Sequence, residues 1–270
     1  MRKLFLSALI IGVFVVFNSC QEKEQPWQPL FNGENLDNWD KYLGTPLAGF
    51  DSLAQVATVE KVFSVVEEEG VKLIRISGEV NGSLATQASF ENYHLRLVFK
   101  WGDEVFTKRN SGLLYHSFGE FGAALGTWMV NIEHQLMHEN LGDTYLMNNT
   151  ACETAAVKNA ETNNFVFTPG AEILPFGEHA NGKSIKKSTD AEKPLGEWNT
   201  VDLYCFGQTS VHVVNGVTVM VNNNTGVFEN GAVKPLTSGK IQLQSEGGEL
   251  FVKSIEIQSI SKLPKEIMPQ

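Results

Sequence analysis

From residue 93 to residue 101 the side chains alternate. Leu95, Leu97 and Phe99 fall on one parity, and His94, Arg96, Val98 and Lys100 on the other. That is the period of a strand with one buried face. Similar short β-prone runs predict strands at 63–66, 72–77, 83–85, 112–118, 128–137, 198–206, 239–246 and 250–260. Residues 210–214 and 217–221 flank Asn215-Gly216, and Asn-Gly supplies the positive φ of a type I′ hairpin turn. No stretch of 12 or more residues carries a convincing helical period, so long helices are not expected. Many short strands separated by Gly and Asn turns predict an all-β sandwich or barrel. The segment 140–193 reads as a long loop-rich connection, which in a compact domain is usually functional.

The stretch from Asn131 to Glu139 carries the densest chemistry. Glu133 and Gln135 share one parity with Asn131, and His134 and His138 share the other with Ile132 and Leu136. On a strand Glu133 and Gln135 stand about 6.6 Å apart on one face, a spacing that suits contacts to one sugar ring. Glu133 could act as base, acid or metal ligand. His134 and His138 would lie about 13 Å apart on a strand, too far to share one ion. His134 is therefore expected on the core side, while His138 and Glu139 could face a cleft where the strand leaves the sheet. Asn110, Gly112, Leu114 and His116 share a parity, so His116 could join Asn110 as a base or metal ligand. Gln242, Gln244 and Glu246 form a second polar stripe opposed by Ile241 and Leu243. A solvent-facing sheet would give the same stripe.

Composition narrows the class. The 270 residues carry a formal net charge of −10, and no basic cluster offsets it; Lys183, Lys186 and Lys187 read as a solvated loop. Binding to nucleic acid or to an anionic membrane surface is not expected. Arg2 and Lys3, an apolar run over 4–17, and Asn18-Ser19-Cys20 form a bacterial lipoprotein signal pattern, with lipidation at Cys20 and export to the cell envelope, in the outer membrane. The expected organisation is a signal at 1–19, a tether at 20–26, one domain at 27–261 and a tail at 262–270. Cys152 and Cys205 remain; a disulfide is allowed in an oxidising envelope, but Cys205 lies in an apolar run and reads as a buried small hydrophobe.

Several motifs occur together in order. They are Trp27-Gln-Pro-Leu-Phe-Asn-Gly33 followed by Trp39, Asn110-Ser-Gly112, Glu133-His-Gln135, Gly142-Asp-Thr-Tyr145, Glu192-Lys-Pro-Leu-Gly-Glu-Trp-Asn199, Val214-Asn-Gly216 and Gly239-Lys-Ile-Gln-Leu-Gln-Ser-Glu246. In these the chain resembles the 3-keto-disaccharide hydrolase domain family, over nearly all of its length after the signal. The resemblance implies a concanavalin A-like, glucanase-type jelly-roll sandwich of two antiparallel sheets, the inner one curved around a sugar cleft. It also implies action on 3-keto-glycosides made by a partner sugar 3-oxidoreductase. His116 stands where many members carry Arg. With the resemblance, Gln244 and Glu246 are placed in the groove, and Asp143, Tyr145 and Lys193 become candidates at its ends.

A ketone at C3 acidifies the C2 hydrogen. Its removal gives an enolate, and the group at C1 then leaves by β-elimination, with or without later addition of water. Glu133 or His116 would be the base. One divalent cation held by Glu133, His138 and Glu139 could polarise the keto oxygen. Two other classes stay open: a carbohydrate-binding module without turnover, and a glycosidase on unoxidised glucan. The second usually needs two carboxylates, and Gln135 occupies the place of the second.

Overall fold

The computed structural model describes residues 25–269; the expected signal and the lipidation site at Cys20 lie outside the described residues. The chain folds as two packed β-layers. One sheet runs in the order Phe63–Glu68, Val71–Ile76, Gly248–Ser259, Tyr93–Val105, Asn199–Phe206, Thr209–Val214 and Val217–Glu229. The other runs in the order Trp39–Leu43, Gly82–Thr86, Ser238–Ser245, Gly112–Phe118, Val130–Gln135, Thr144–Leu146 and Ser184–Lys186. All these pairings are antiparallel. The far half of Val217–Glu229 pairs with Thr150–Lys158. That strand leads through Phe165–Phe167, parallel to Ser184–Lys186, back to the second sheet. The layers are thus joined along one edge.

The period-2 patterns explain the core. Leu95, Leu97 and Phe99 are fully buried, while Arg96, Val98 and Lys100 on the other parity are half-buried. They meet Leu84, Leu113, Ile132 and Leu243 of the second sheet in one continuous apolar cluster. Each such side chain contributes roughly 1.5–3 kcal/mol by leaving water. The hairpin at Asn215-Gly216 turns with φ of 49° and 83°, the left-handed pair that the sequence predicts. Among the described residues the helices are single turns, Asp51–Ala54, Val59–Val62 and Lys265–Ile267.

The segment 140–193 departs from its expected loop character. It holds five strands, of which Thr150–Lys158 is the longest. Small residues (Thr, Ala and Cys) occupy its buried positions, so its alternation does not show as a hydrophobic pattern. Cys152 and Cys205 are both free and buried. Burial pushes each thiol up to about 12, so neither is poised as a nucleophile.

The core also contains polar groups. The Tyr115 hydroxyl bridges Ser210 Oγ (2.7 Å) and His212 Nε2 (3.2 Å) on the opposite sheet. His212 Nδ1 lies 3.1 Å from the Gly142 carbonyl. His134 points to the core, as expected, and stacks on His212 with centroids 4.1 Å apart. Neither of its ring nitrogens has a hydrogen-bond partner. Burial, then the neighbouring His212, holds His134 well below the usual histidine range. The unfolded chain therefore binds a proton here at a higher pH than the folded one, and stability is lost as pH falls below the ordinary histidine pKa. His134→Leu should remove that loss. In urea unfolding, the variant's stability relative to the parent should rise as pH drops from 7.5 to 5; a constant difference would refute the assignment.

Candidate functional site

Register assembles the site on the face of the second sheet that points away from the core. Tyr42 pairs with Ser83, Ser83 with Gln244, and Gly112 with Gln135. Because Leu243 pairs with Leu113, Gln244 comes beside Gly112, so these residues form one transverse row. Asp143 and Lys186 extend it, one step beyond the pairs Thr144–His134 and Thr144–Ile185. Glu133 stands in the next row between Leu114 and Tyr145. Side chains of alternate residues share a face, so this face carries the polar stripes and the opposite one carries Leu113, Ile132 and Leu243.

The rows converge at Gly112. A side chain there would meet both Glu133 Oε1 and Gln244 Oε1, each 2.4 Å from the position a Cβ would take. The absence of that carbon leaves room for both oxygens over the backbone. Glu133 is 2% exposed and Gln244 is fully buried. Glu133 Oε1, both ends of the Gln244 carboxamide and Asn110 Oδ1 have no hydrogen-bond partner in the protein. Asn110 lies beside Glu246 at the mouth and favours its charged form, and exposed Lys108 lies near enough to favour the charged forms of Glu133 and Glu246. Burial, then the charge of Glu246 and that of Asp143, pushes Glu133 well above the carboxylate range. Burial raises Glu246 to about 7, against the pull of Lys108 and Asn110.

Trp128 closes part of this face. Its indole Nε1 donates to the Gly82 carbonyl (3.0 Å), and its ring packs with Leu114, Ala124 and Met147. Gln135, Tyr145, Glu246 and Lys186 remain half-buried and Lys108 exposed, which puts the opening at the Gly112 end. A cavity of about 450 Å³ elsewhere, lined by Trp27, Phe90 and Ile257, contains none of these groups; the chemistry lies with the polar cluster.

Of the sequence-predicted residues, Asn110, Glu133, Gln135, Tyr145, Gln244 and Glu246 come together. Asp143 reaches the same row, but its carboxylate accepts from Lys186 Nζ and the Lys187 backbone N–H, both at 2.8 Å. Lys186, read as part of a solvated loop, is thus a fixed charge at one end of the site. His116 does not join. The ladder bulges between Tyr115 and Phe118, and His116 has φ +50°. The extra residue shifts the parity, so Ser117 takes the site face and accepts from Gln242 Nε2 (2.7 Å). His116 turns to the core beside Tyr93 and Tyr115, and burial lowers it to about 4.

The strand ends at Gln135, short of the expected 137. His138 Nδ1 lies 3.1 Å from Glu192 Oε1, and the Glu139 backbone N–H donates to Glu192 Oε2 (2.7 Å). The metal set Glu133, His138 and Glu139 is therefore not assembled. Among the described residues, no group of three or more His, Cys, Asp or Glu side chains could hold a metal ion. Lys193 Nζ donates to the Trp198 carbonyl (3.0 Å), and its backbone N–H to Asn199 on the other sheet, away from the cluster. Lys108 was missed, although it stands two residues before Asn110. The role of Gly112 as a gap depends on the register of three strands and has no local signal.

The profile of one family, described as the 3-keto-alpha-glucoside-1,2-lyase-like domain, matches residues 26–258. Among solved structures, two chains from Parabacteroides distasonis ATCC 8503, provisionally described as glycosyl hydrolases, share the fold. One is 20% identical with a TM-score of 0.50, covering 87% of this chain and 100% of that one. The other is 18% identical with a TM-score of 0.50, covering 87% and 94%. No match is found among curated proteins. The fold is thus the concanavalin A-like sandwich expected from the motifs.

Two substitutions probe the site. Gly112→Ala must displace Glu133 and Gln244, and overpacking of this kind should cost about 1–3 kcal/mol in denaturant unfolding; an unchanged stability would mean the gap is not filled as described. Glu246→Gln acts through linkage. The folded protein keeps the Glu246 proton up to about 7, where the unfolded chain has lost it, so this group's cost grows as pH rises through that window. The variant should match the parent near pH 4 and gain about 3 kcal/mol above pH 7. A gain independent of pH would contradict the shift.

Proposed function

The chain belongs to the 3-keto-alpha-glucoside-1,2-lyase-like domain family, and on that premise we propose that it cleaves glycosides whose sugar carries a ketone at C3. The observation that carries this reading is the cluster at Gly112. Buried polar atoms without partners are costly, and here they gather beside two carboxyl groups of raised pKa at an accessible edge. Carboxamide and carboxyl groups in that arrangement match the alternating donors and acceptors of a sugar's hydroxyls. Perturbed acids in such a place suit proton transfer. A module that only binds sugar has no need of two carboxyl groups that oppose folding when both are charged.

Removal of the C2 proton, followed by loss of the C1 substituent, fits the family. Water added afterwards would complete hydrolysis. The ketone must come from an oxidoreductase acting at C3, so such a partner belongs upstream. One observation favours a second reading. Glu246 supplies, beside Glu133, the second carboxyl group that Gln135 had seemed to deny, as an ordinary glycosidase would require.

Incubation with 3-keto-lactose and 3-keto-trehalose, with the unoxidised disaccharides in parallel, separates these readings. Cleavage of the keto sugars alone is expected. Cleavage of the unoxidised sugars would favour the glycosidase, and glycan affinity without turnover would favour the binding module. EDTA should leave the rate unchanged; a loss restored by added divalent cation would bring a metal into the reaction.

A further inference from the structure

The inference here rests on the reading above. We propose that the two carboxyl groups divide the work: Glu246, as the carboxylate, takes the C2 proton, and Glu133, carrying its proton, donates a hydrogen bond to the C3 oxygen. The geometry makes the division. Glu133 Oε1 and Gln244 Oε1 face the same gap over Gly112. Neither oxygen has a hydrogen-bond partner in the protein, and an un-ionised Glu133 brings to this gap the donor that the two acceptors lack. Glu133 lies at the inner end of the site, 2% exposed, whereas Glu246 lies half-buried at the mouth beside Asn110 and Lys108.

The electrostatics agree. The charged groups acting on Glu133 are Glu246, Asp143 and Lys108, and two of these three are negative. Lys108 and Asn110 act on Glu246, and both favour its ionised form. In a coupled pair one proton leaves first and the resulting charge retains the other. Here Glu246 ionises first, and its charge then holds the proton of Glu133. Paired acids whose surroundings push their titrations apart take opposite roles.

The step balances. The C2–H bond breaks, its proton goes to Glu246, and its electrons form the C2=C3 bond while the C3 oxygen takes the negative charge, met by the Glu133 O–H. The charge then returns. The C3 carbonyl reforms, a C1=C2 bond forms, and the C1–O bond breaks, with the proton on Glu246 passing to the leaving oxygen. Both carboxyl groups end as they began, and no oxidant or reductant is consumed.

The test uses Glu133→Gln, Glu133→Leu and Glu246→Gln with 3-keto-lactose. A carboxamide still donates a hydrogen bond, so Glu133→Gln should lose about tenfold or less, and Glu133→Leu about 100-fold or more. Glu246→Gln should lose about 1,000-fold, together with exchange of the C2 hydrogen in D2O. The kcat/KM of the parent should climb with unit slope up to a pH of about 7. An inactive Glu133→Gln beside an active Glu246→Gln would reverse the assignment. Carboxyl-labelled glutamate NMR tests the division without turnover. One resonance should titrate near 7 and vanish in Glu246→Gln, and another should stay protonated to higher pH and vanish in Glu133→Gln. If the parent cleaves no 3-keto-glycoside, the substrate reading fails while this titration still decides the division; if both acids ionise together in the ordinary carboxylate range, the division fails whatever the substrate.

Discussion

Gly112 has no side chain, and the chemistry of the polar face depends on that. A Cβ at this position would stand 2.4 Å from both Glu133 Oε1 and Gln244 Oε1. Without it, side chains from two flanking strands converge over bare backbone, and the sheet gains a polar recess. The cost is that polar atoms lose water and find no partner within the protein, a penalty of about 1–3 kcal/mol for each group. The apolar face beneath must offset it, and it does so with a continuous core shared by both sheets.

That division of labour fixes register. A slip of one residue in any of the strands carrying Leu113, Ile132 or Leu243 would turn apolar side chains to the site and carboxyl groups to the core. The irregularity among these strands, the bulge at His116 and Ser117, keeps the rule by breaking the count. It places Tyr115 and His116 together on the core side and returns Ser117 to the polar face. His116 thereby becomes a buried, neutral histidine with no part in the site.

The alternating strands, the Asn215-Gly216 hairpin and the two polar stripes were legible because period and parity are local properties of sequence. Alternation puts Glu133 on one face with Gln135 and Gln244 with Glu246, while the choice of that face as the groove for Gln244, Glu246 and Tyr145 came from the family resemblance. What was not legible depended on contacts between distant segments. Parity placed His116 wrongly because a bulge leaves little trace in composition. Lys186 looked like a solvated charge because its partner, Asp143, is 43 residues away in sequence. His138 and Glu139 looked like ligands because nothing nearby showed that Glu192 would take the His138 ring and the Glu139 backbone N–H.

The same contacts place the site's charge. Lys108 and Lys186 lie toward opposite ends, yet they do different things. Lys186 is held by Asp143 and Asn140, with its nitrogen 2.8 and 2.9 Å from their oxygens, so its charge is largely neutralised where it stands. Lys108 is exposed and acts on Glu246 from across the mouth, where water screens it. Neither neutralises Glu133. A second cation beside Glu133 would have stabilised the fold and lowered that acid's upward shift. The arrangement instead gives up stability to raise Glu133 well above the carboxylate range and Glu246 to about 7, and a folded chain with a core this large can bear that loss.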